Sequence, residues 1–586
     1  MDNGKGEHTC LRTECGICGG ALLGGVRFLP LASGEVSPEQ RPYLDSAIFP
    51  MNRNANLNFN SRLLCWDRNC WRCPLSSEVI AIHSDCFRIF SQEVKADDAL
   101  ERLWVAAVSR SSWRMAPSLR LEQDTNVDVD LVYEKAAIQG VPRLRLLSPE
   151  LVQMVRDHSK PATFWRYISV LSFSRELAAA SSDRSLPTSI PLQNFAAWAR
   201  GREAVLLEPP GEPPVIRLTI DAHGIKEVER LPRRRSYHPW RSDKMVYMIE
   251  EASSLGDYNT LYLKLPQHIR GFHIWDLRSP PMLEDCLFST RIPQSTLFRT
   301  VDLEGVSGLT FFYCTFKFYA VHAHTPSNSC AKQTFDRLVN KKSTAWIHLP
   351  MPKGEEIIAL GVRFAQAGTR GAGGLVTQRP YFMVRTKLAG DVFLGPPPRG
   401  EGQDIILSQL HPRLFIYNSP NLGPATVFGA YPGAGSNDPL FSPFRQPSLA
   451  GGPPPLGNLS TAPLENVTRI QILEDADLGF CRAVVFDYTN GAQRAVGDCR
   501  LGVDPAKTYL RPSRICYLPT LYPRGLPSPG LLTRNKAVKV ESGSESIHRH
   551  DQDGWVCSPL EGTLEFLFSG NQSVITIASG SDDQGV

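Results

Sequence analysis

Gly308-Leu-Thr-Phe-Phe-Tyr-Cys-Thr-Phe-Lys-Phe-Tyr-Ala-Val-His-Ala-His324 is the stretch that decides the fold of this chain. Aromatic and β-branched residues fill it, and such residues suit a pleated, half-buried surface. A turn in its middle makes it two strands of one hairpin. His322 and His324, two apart on the second strand, face the same side. They read as half a metal site or, more commonly, as a structural pair, since no third ligand stands at a persuasive spacing.

Working outward, Val215-Ile-Arg-Leu-Thr-Ile220 alternates like a strand. Ile357–Phe364, Tyr381–Thr386, Arg469–Leu473, Arg482–Tyr488, Gly562–Phe568 and Val574–Ile577 are further strands. Thr489-Asn490-Gly491 sits where a hairpin turn belongs, because Asn-Gly tolerates positive φ. Residues 205–395 and 464–586 thus read as two parts of one large antiparallel β domain, sandwich-like or prism-like. Between them, 396–463 reads as an insertion or linker. Gly395-Pro-Pro-Pro and Gly451-Gly-Pro-Pro-Pro bracket it, and so Pro/Gly-rich a stretch buries little apolar surface. Residues 535–553 read as an exposed loop, and Arg233-Arg-Arg235 as a solvated one.

Residues 91–204 read as helical. Ala99–Val108 has apolar residues at helical spacing, and Arg143 to Leu177 continues in that style. Ser148-Pro149 starts a helix, Ser as N-cap and Pro in the first turn. A last helix is expected over about Leu192–Arg200, from Phe195 and Trp198 three apart. Residues 1–90 are loop-rich. The whole is a multidomain α+β chain of 586 residues, enough for several domains.

Seven of the fourteen cysteines lie in the first 86 residues. Cys15-Gly-Ile-Cys18 and Cys70-Trp-Arg-Cys73 are CxxC pairs, and His83-Ser-Asp-Cys86 is an HxxC pair. Two such pairs make a closed tetrahedral Zn2+ site. The best four are Cys15, Cys18, His83 and Cys86, with Cys70 and Cys73 as alternates to either pair. A two-zinc arrangement would draw in Cys10 or Cys65. Four protein ligands leave no open position, so the expected role is structural. The seven later cysteines, Cys516 and Cys557 among them, read mostly as small buried hydrophobes.

A net charge of +4 over this length gives no reason to expect a nucleic-acid or membrane partner. The N-terminus lacks the basic and apolar regions of a signal peptide, so a reducing compartment, cytoplasmic or nuclear, is expected, and the sequons at Asn458, Asn466 and Asn571 read as chance matches. Gly-x-Ser-x-Gly, a Walker A loop, a dinucleotide glycine motif and HExxH are missing in usable form. Glu355, Glu356 and Asp487 read as isolated loop or sheet-face charges. The expectation is a non-enzymatic protein.

Leu146-Leu-Ser-Pro-Glu-Leu-Val-Gln-Met-Val155 followed by Phe164-Trp-Arg-Tyr-Ile-Ser-Val-Leu-Ser-Phe-Ser-Arg175 resembles an F-box. Leu147, Pro149, Glu150, Leu151, Val155, Leu171, Ser174 and Arg175 match by type. The order of CxxC, HxxC, F-box-like helices and β-rich half is similar to a group of uncharacterised filamentous-fungal F-box-like proteins. Trp346–Glu355 and Asp477–Tyr488 carry that second resemblance. The F-box resemblance implies docking on a Skp1-like adaptor of a ubiquitin ligase through Leu147, Pro149, Leu151 and Val155, with the β half capturing an unknown protein substrate. The competing reading packs those residues inside the chain's own helical domain. Val484–Gly491 through Val496-Gly497 is similar to a repeat of jacalin-related β-prism lectins, which implies carbohydrate binding as an alternative. The Asp498 and Asp504 region lacks the sugar-binding context of those lectins.

Overall fold

The computed structural model describes residues 7–32, 46–109, 128–179, 194–252, 273–365, 379–445 and 457–578, with short gaps inside these ranges that include 67–69, 71, 74–75, 434–441, 524–530, 543–549 and 551–552. Among the described residues strands account for 48% and helices for 17%, so β structure dominates there. The chain divides into two compact units. The first is Met1–Ser236, Trp240–Ser279 and Gln294–Thr296. The second is Tyr237–Pro239, Pro280–Pro293 and Leu297–Val586.

In the first unit, the Cys/His-rich segment holds six short strands. They are β1 (Glu7–Arg12), β2 (Arg27–Ala32), β3 (Ala47–Ile48), β4 (Leu57–Phe59), β5 (Arg62–Cys65) and β6 (Ser77–His83), in the order β3-β2-β6-β1-β5-β4. β1 runs parallel to both β5 and β6, and the other pairs are antiparallel. β6 is central. Its Val79, Ile80, Ala81 and Ile82 are all buried, the uninterrupted apolar run expected of a strand covered on both faces.

β6 passes directly into α1 (Ser84–Glu93), with His83 as the N-cap residue. Then follow α2 (Ala99–Ser109), α3 (Val129–Ile138), α4 (Pro149–His158) and α5 (Thr163–Ala179). α1, α2 and α5 share a core with the Cys/His loops, built from Cys15, Ile17, Ile82, Cys86, Phe90, Leu103 and Val170. α3, α4 and α5 close a second around Leu131, Val132, Val152, Trp165, Ile168 and Leu171.

The helix expected over Leu192–Arg200 is instead a strand, Phe195–Ala199, hydrogen-bonded antiparallel to Gly224–Leu231 with Trp198 opposite Val228. Cross-strand pairing overrides the three-residue aromatic spacing. Val215–Asp221 lies between Gly224–Leu231 and Val246–Glu251. Its first six residues are all buried, including Arg217, whose Nη2 sits 2.6 Å from Glu229 Oε2.

In the second unit every strand pairing among the described residues is antiparallel. Gly308–Cys314 and Lys317–His324 form the expected hairpin. Its two-residue loop, Thr315 and Phe316, has φ of 50° and 63°, the doubly left-handed turn that matches strand twist. Phe318, fully buried, lies at the centre of the core. Its ring is 5.2 to 6.3 Å from those of Phe311, Tyr313, Phe382, Phe415, Tyr417 and Phe428. The Asn490-Gly491 turn joins Cys481–Tyr488 to Gln493–Gly497.

The linker expected over 396–463 holds strands: Gly402–Ser408, Leu414–Asn418, Phe428–Tyr431 and Asn458–Pro463. Short apolar runs inside the Pro/Gly-rich composition bury Leu407, Phe415, Ile416 and Phe428, and overall composition hides them. Residues 446–456 lie outside the described residues. The loop expected over 535–553 begins as part of the strand Leu531–Ser542, paired with Pro512–Pro523, and its 543–549 portion lies outside the described residues. No helix among the described residues is long and apolar enough to cross a membrane.

Candidate metal centres

Cys15, Cys18, His83 and Cys86 converge, with their ligand atoms all within 4.8 Å of one another. The loop after β1 delivers the first two. Gly19 N donates to Cys15 O at 2.8 Å, and Gly19 adopts a φ of 67° that favours glycine. Gly16 N donates to Ala81 O of β6 at 2.9 Å, which docks the knuckle on the central strand. A Cβ at Gly16 would lie 2.5 Å from Ala107 Cβ and 2.9 Å from Ile80 Cγ2, so the docking requires glycine. His83 ends β6, and Cys86 stands in the first turn of α1. The long interval between Cys18 and His83 is taken up by β2 to β6, which carry the chain away and back.

His83 Nδ1 is 3.4 Å from Cys18 Sγ and 3.9 Å from Cys86 Sγ. Ligands on a tetrahedral zinc stand about 3.6–3.8 Å apart, given its bond lengths to sulfur and nitrogen. Cys15, Cys86 and His83 are buried. Burial by itself would raise the Cys15 thiol, but hydrogen bonds from Cys18, Cys86 and His83 outweigh it and hold the thiol well below its usual range. Cys86 moves the opposite way, its proton retained beside Cys15 and Cys18. Burial works against charge on His83, yet the cysteine sulfurs at Cys15 and Cys18 lift it to about 9. Arg166 Nη2 donates to Cys86 Sγ at 3.3 Å, adding a positive charge beside the thiols.

Cys70 and Cys73 do not substitute into this set. They form a second one with His8 and Cys65, again with all ligand atoms within 4.8 Å. His8 Nε2 is 3.3 Å from Cys73 Sγ and 3.5 Å from Cys70 Sγ. β1 and β5 are parallel, and Cys10 stands in register with Cys65. Cys10 and Cys65 crowd the Cys73 thiol and push it far above its usual range, a cluster of thiols competing to keep their protons. His8 went unread in the sequence. Its signal was the alternation His8-Thr9-Cys10, which places both polar residues on one face of β1 while Thr9 is buried.

The residues expected to bind a partner divide. Leu147 is half-buried against the α3–α5 core, and its carbonyl accepts from Tyr133 Oη at 2.6 Å. Pro149 opens α4 as expected. Ser148 makes no capping bond to the helix backbone, and its hydroxyl hydrogen-bonds Glu150 instead. Leu151 and Val155 point outward, 45% and 40% exposed, beside Met154 at 54%. The residue that α4 buries is Val152.

In the second unit, His322 and His324 gain a third neighbour, His348, with ring centroids 4.7 and 5.0 Å apart. His324 Nδ1 donates to Ser329 O at 2.8 Å, so its Nε2 accepts from Thr310 Oγ1 at 2.7 Å. That hydroxyl in turn accepts from His348 Nδ1 at 3.1 Å. His322 Nε2 donates to Asn328 O at 3.1 Å, and its Nδ1 accepts from Thr334 Oγ1 at 2.9 Å. These bonds engage both nitrogens of His322 and His324 and Nδ1 of His348, and burial lowers the pKa of His324 and His348. The carboxylates are also engaged. Glu355 accepts from Leu388 N and Ala389 N, Glu356 pairs with Lys387, and Asp487 pairs with Arg469. Asp498 is held by Arg482 and Arg500, and Asp504 by Arg482. A cleft of about 710 Å³ lies between Ser307, Thr325, Lys353, Glu356, His411 and Arg413.

The structure therefore brings the four best candidates together, assigns the two alternates to a centre of their own, and leaves part of the expected partner face open. No family model matches the chain, and no curated protein sequence matches it significantly.

Proposed function

We propose that the chain is a non-enzymatic interaction protein whose Cys/His-rich segment is stapled by two structural Zn2+ ions and whose helical region docks a protein partner. The observation that carries the docking is the outer face of α4. Leu151, Met154 and Val155 stay exposed there, although α3, α4 and α5 have a closed core of their own. Contiguous exposed apolar side chains on a folded helix mark an interaction surface. The resemblance to an F-box names the partner as a Skp1-like adaptor, with the β-rich unit, sandwich-like or prism-like, recruiting a substrate protein in the cytoplasm or nucleus. For the metal, two Cys/His tetrads without a carboxylate suit zinc, and four protein ligands apiece leave no position for reacting water. Co-purification with a purified Skp1-like adaptor tests the docking. Association that drops at least tenfold in Leu151→Asp/Val155→Asp supports it, and equal association in both proteins rejects it.

A second reading, glycan binding by the second unit, is favoured by the cleft between Ser307 and Arg413, into whose mixed apolar and polar lining Lys353, Glu356, His411 and Arg413 bring hydrogen-bonding groups. The arginine pairing of Asp498 and Asp504 moves any such site away from the lectin-like turn. A glycan array with the full chain decides, and a blank array removes the reading.

A further inference from the structure

In the second unit, two cysteines read in the sequence as small buried hydrophobes come together with a histidine from the stretch expected to be an exposed loop. Cys516 on the strand Pro512–Pro523 stands directly opposite Cys557 on Val556–Pro559. His550 Nε2 lies 3.1 Å from Cys557 Sγ. The two sulfurs and an imidazole nitrogen are all within 4.8 Å of one another.

The histidine is aimed. Its ring lies flat on Trp555, with centroids 4.4 Å apart and planes 10° from parallel. Lys539, which stands opposite Cys516 on the neighbouring strand, places its Nζ 4.9 Å from the Trp555 ring centroid. Stacking fixes the plane of the imidazole and leaves Nε2 directed at the thiols. A third ligand oriented by its own support is what distinguishes a built centre from two cysteines that happen to pair across strands.

We infer that Cys516, His550 and Cys557 form a third metal site, which binds Zn2+ through these three ligands and, among the described residues, leaves the fourth position to a further donor. Two thiolates and an imidazole select a thiophilic ion and reject Mg2+ and Ca2+. The set contains no fourth protein ligand among the described residues. Cys516 is fully buried, while Cys557 and His550 are half-buried, so the site opens to solvent on one side. This differs from the N-terminal tetrads, which close around the ion. Water, or a side chain of a bound partner, would complete the coordination. The inference uses none of the N-terminal ligands and stands whether or not those sites are filled.

The experiment is a zinc count on the reduced full chain, equilibrated with Zn2+ and freed of excess by gel filtration. His550→Ala and Cys557→Ser are compared with the parent protein. The expected result is the loss of one zinc per chain in each variant, with an unchanged far-UV spectrum. His550 is half-exposed, so its truncation keeps the measurement valid if Cys557→Ser folds poorly. An unchanged count in His550→Ala overturns the inference. So does a Cys516–Cys557 disulfide found by peptide mapping of the protein isolated with its thiols blocked at lysis.

Discussion

Phe318 shows how much one side chain carries here. It stands in the middle of the sequence stretch that announces the β fold and at the centre of that fold's aromatic core. Phe318→Ala is expected to destabilise the second unit by about 3–5 kcal/mol, measured by denaturant titration. Glu250 gives a test of opposite kind. Burial, only partly offset by Arg234, raises its carboxyl from 4.5 to about 7. Between those values the folded chain holds more protons than the unfolded one, so stability falls as pH climbs from about 4.5 to 7 and stays lower above it. Glu250→Gln cannot ionise and is expected to be more stable than the parent at pH 8, by roughly 3 kcal/mol at most, and nearly equal at about pH 4. Equal stabilities at pH 8 would refute the assignment. At this scale the sequence was legible where chemistry repeats at short spacing, as in Cys15/Cys18 and His83/Cys86. His8 was not, because its partners arrive from β5 and from the loop that follows it.

Among the elements, α4 is the most informative. Its apolar residues lie on two sides, Val152 inward and Leu151, Met154 and Val155 outward. A helix that served only its own core would not need the second side. Val152→Ala should lower stability by roughly 2 kcal/mol or less, as a buried Val loses two methyl groups, and leave adaptor binding intact in the folded fraction. Leu151→Asp should do the reverse, abolishing binding while the thermal midpoint moves little. A midpoint that collapses in Leu151→Asp would show the face to be internal packing. The helical pattern of 149–179 was readable because its period is long and sustained. The strand Phe195–Ala199 was misread because five residues are too few for a period to declare itself, and its type is set by the partner strand Gly224–Leu231. The strands between residues 402 and 431 were hidden in the same way by the prolines and glycines around them.

Across the whole molecule, the two units ask for different treatment. Chelation of a reduced sample is expected to loosen the first unit, where Cys15 and Cys86 belong to the hydrophobic core itself, and to spare the Gly308–His324 hairpin of the second, which lies in an apolar core away from Cys516 and Cys557. Hydrogen exchange should show new exposure in β1, β6 and α1 and little change in Gly308–His324. Protection lost equally in both would mean that the ions do not staple the first unit. The β-rich class of the chain was legible from alternation and turn chemistry. The sheet inside the Cys/His segment was not, because β3, β4 and β5 are two to four residues long and take their register from the strands beside them, β3 from β2, β5 from β1 and β4 from β5.

The junction at His83 has one more consequence. Cys18 and His83, 65 residues apart, would share an ion, and that ion would close every strand from β2 to β6 into a ring. Closing a loop of this length removes roughly 4 kcal/mol of chain entropy from the unfolded state, as a disulfide would. A disulfide makes that change once, at oxidation. A metal cross-link opens and closes with the supply of the ion, and each tenfold change in free zinc around saturating levels shifts the balance by about 1.4 kcal/mol. The lifetime of the first unit in a cell would then follow zinc availability, making the chain's abundance a record of metal supply.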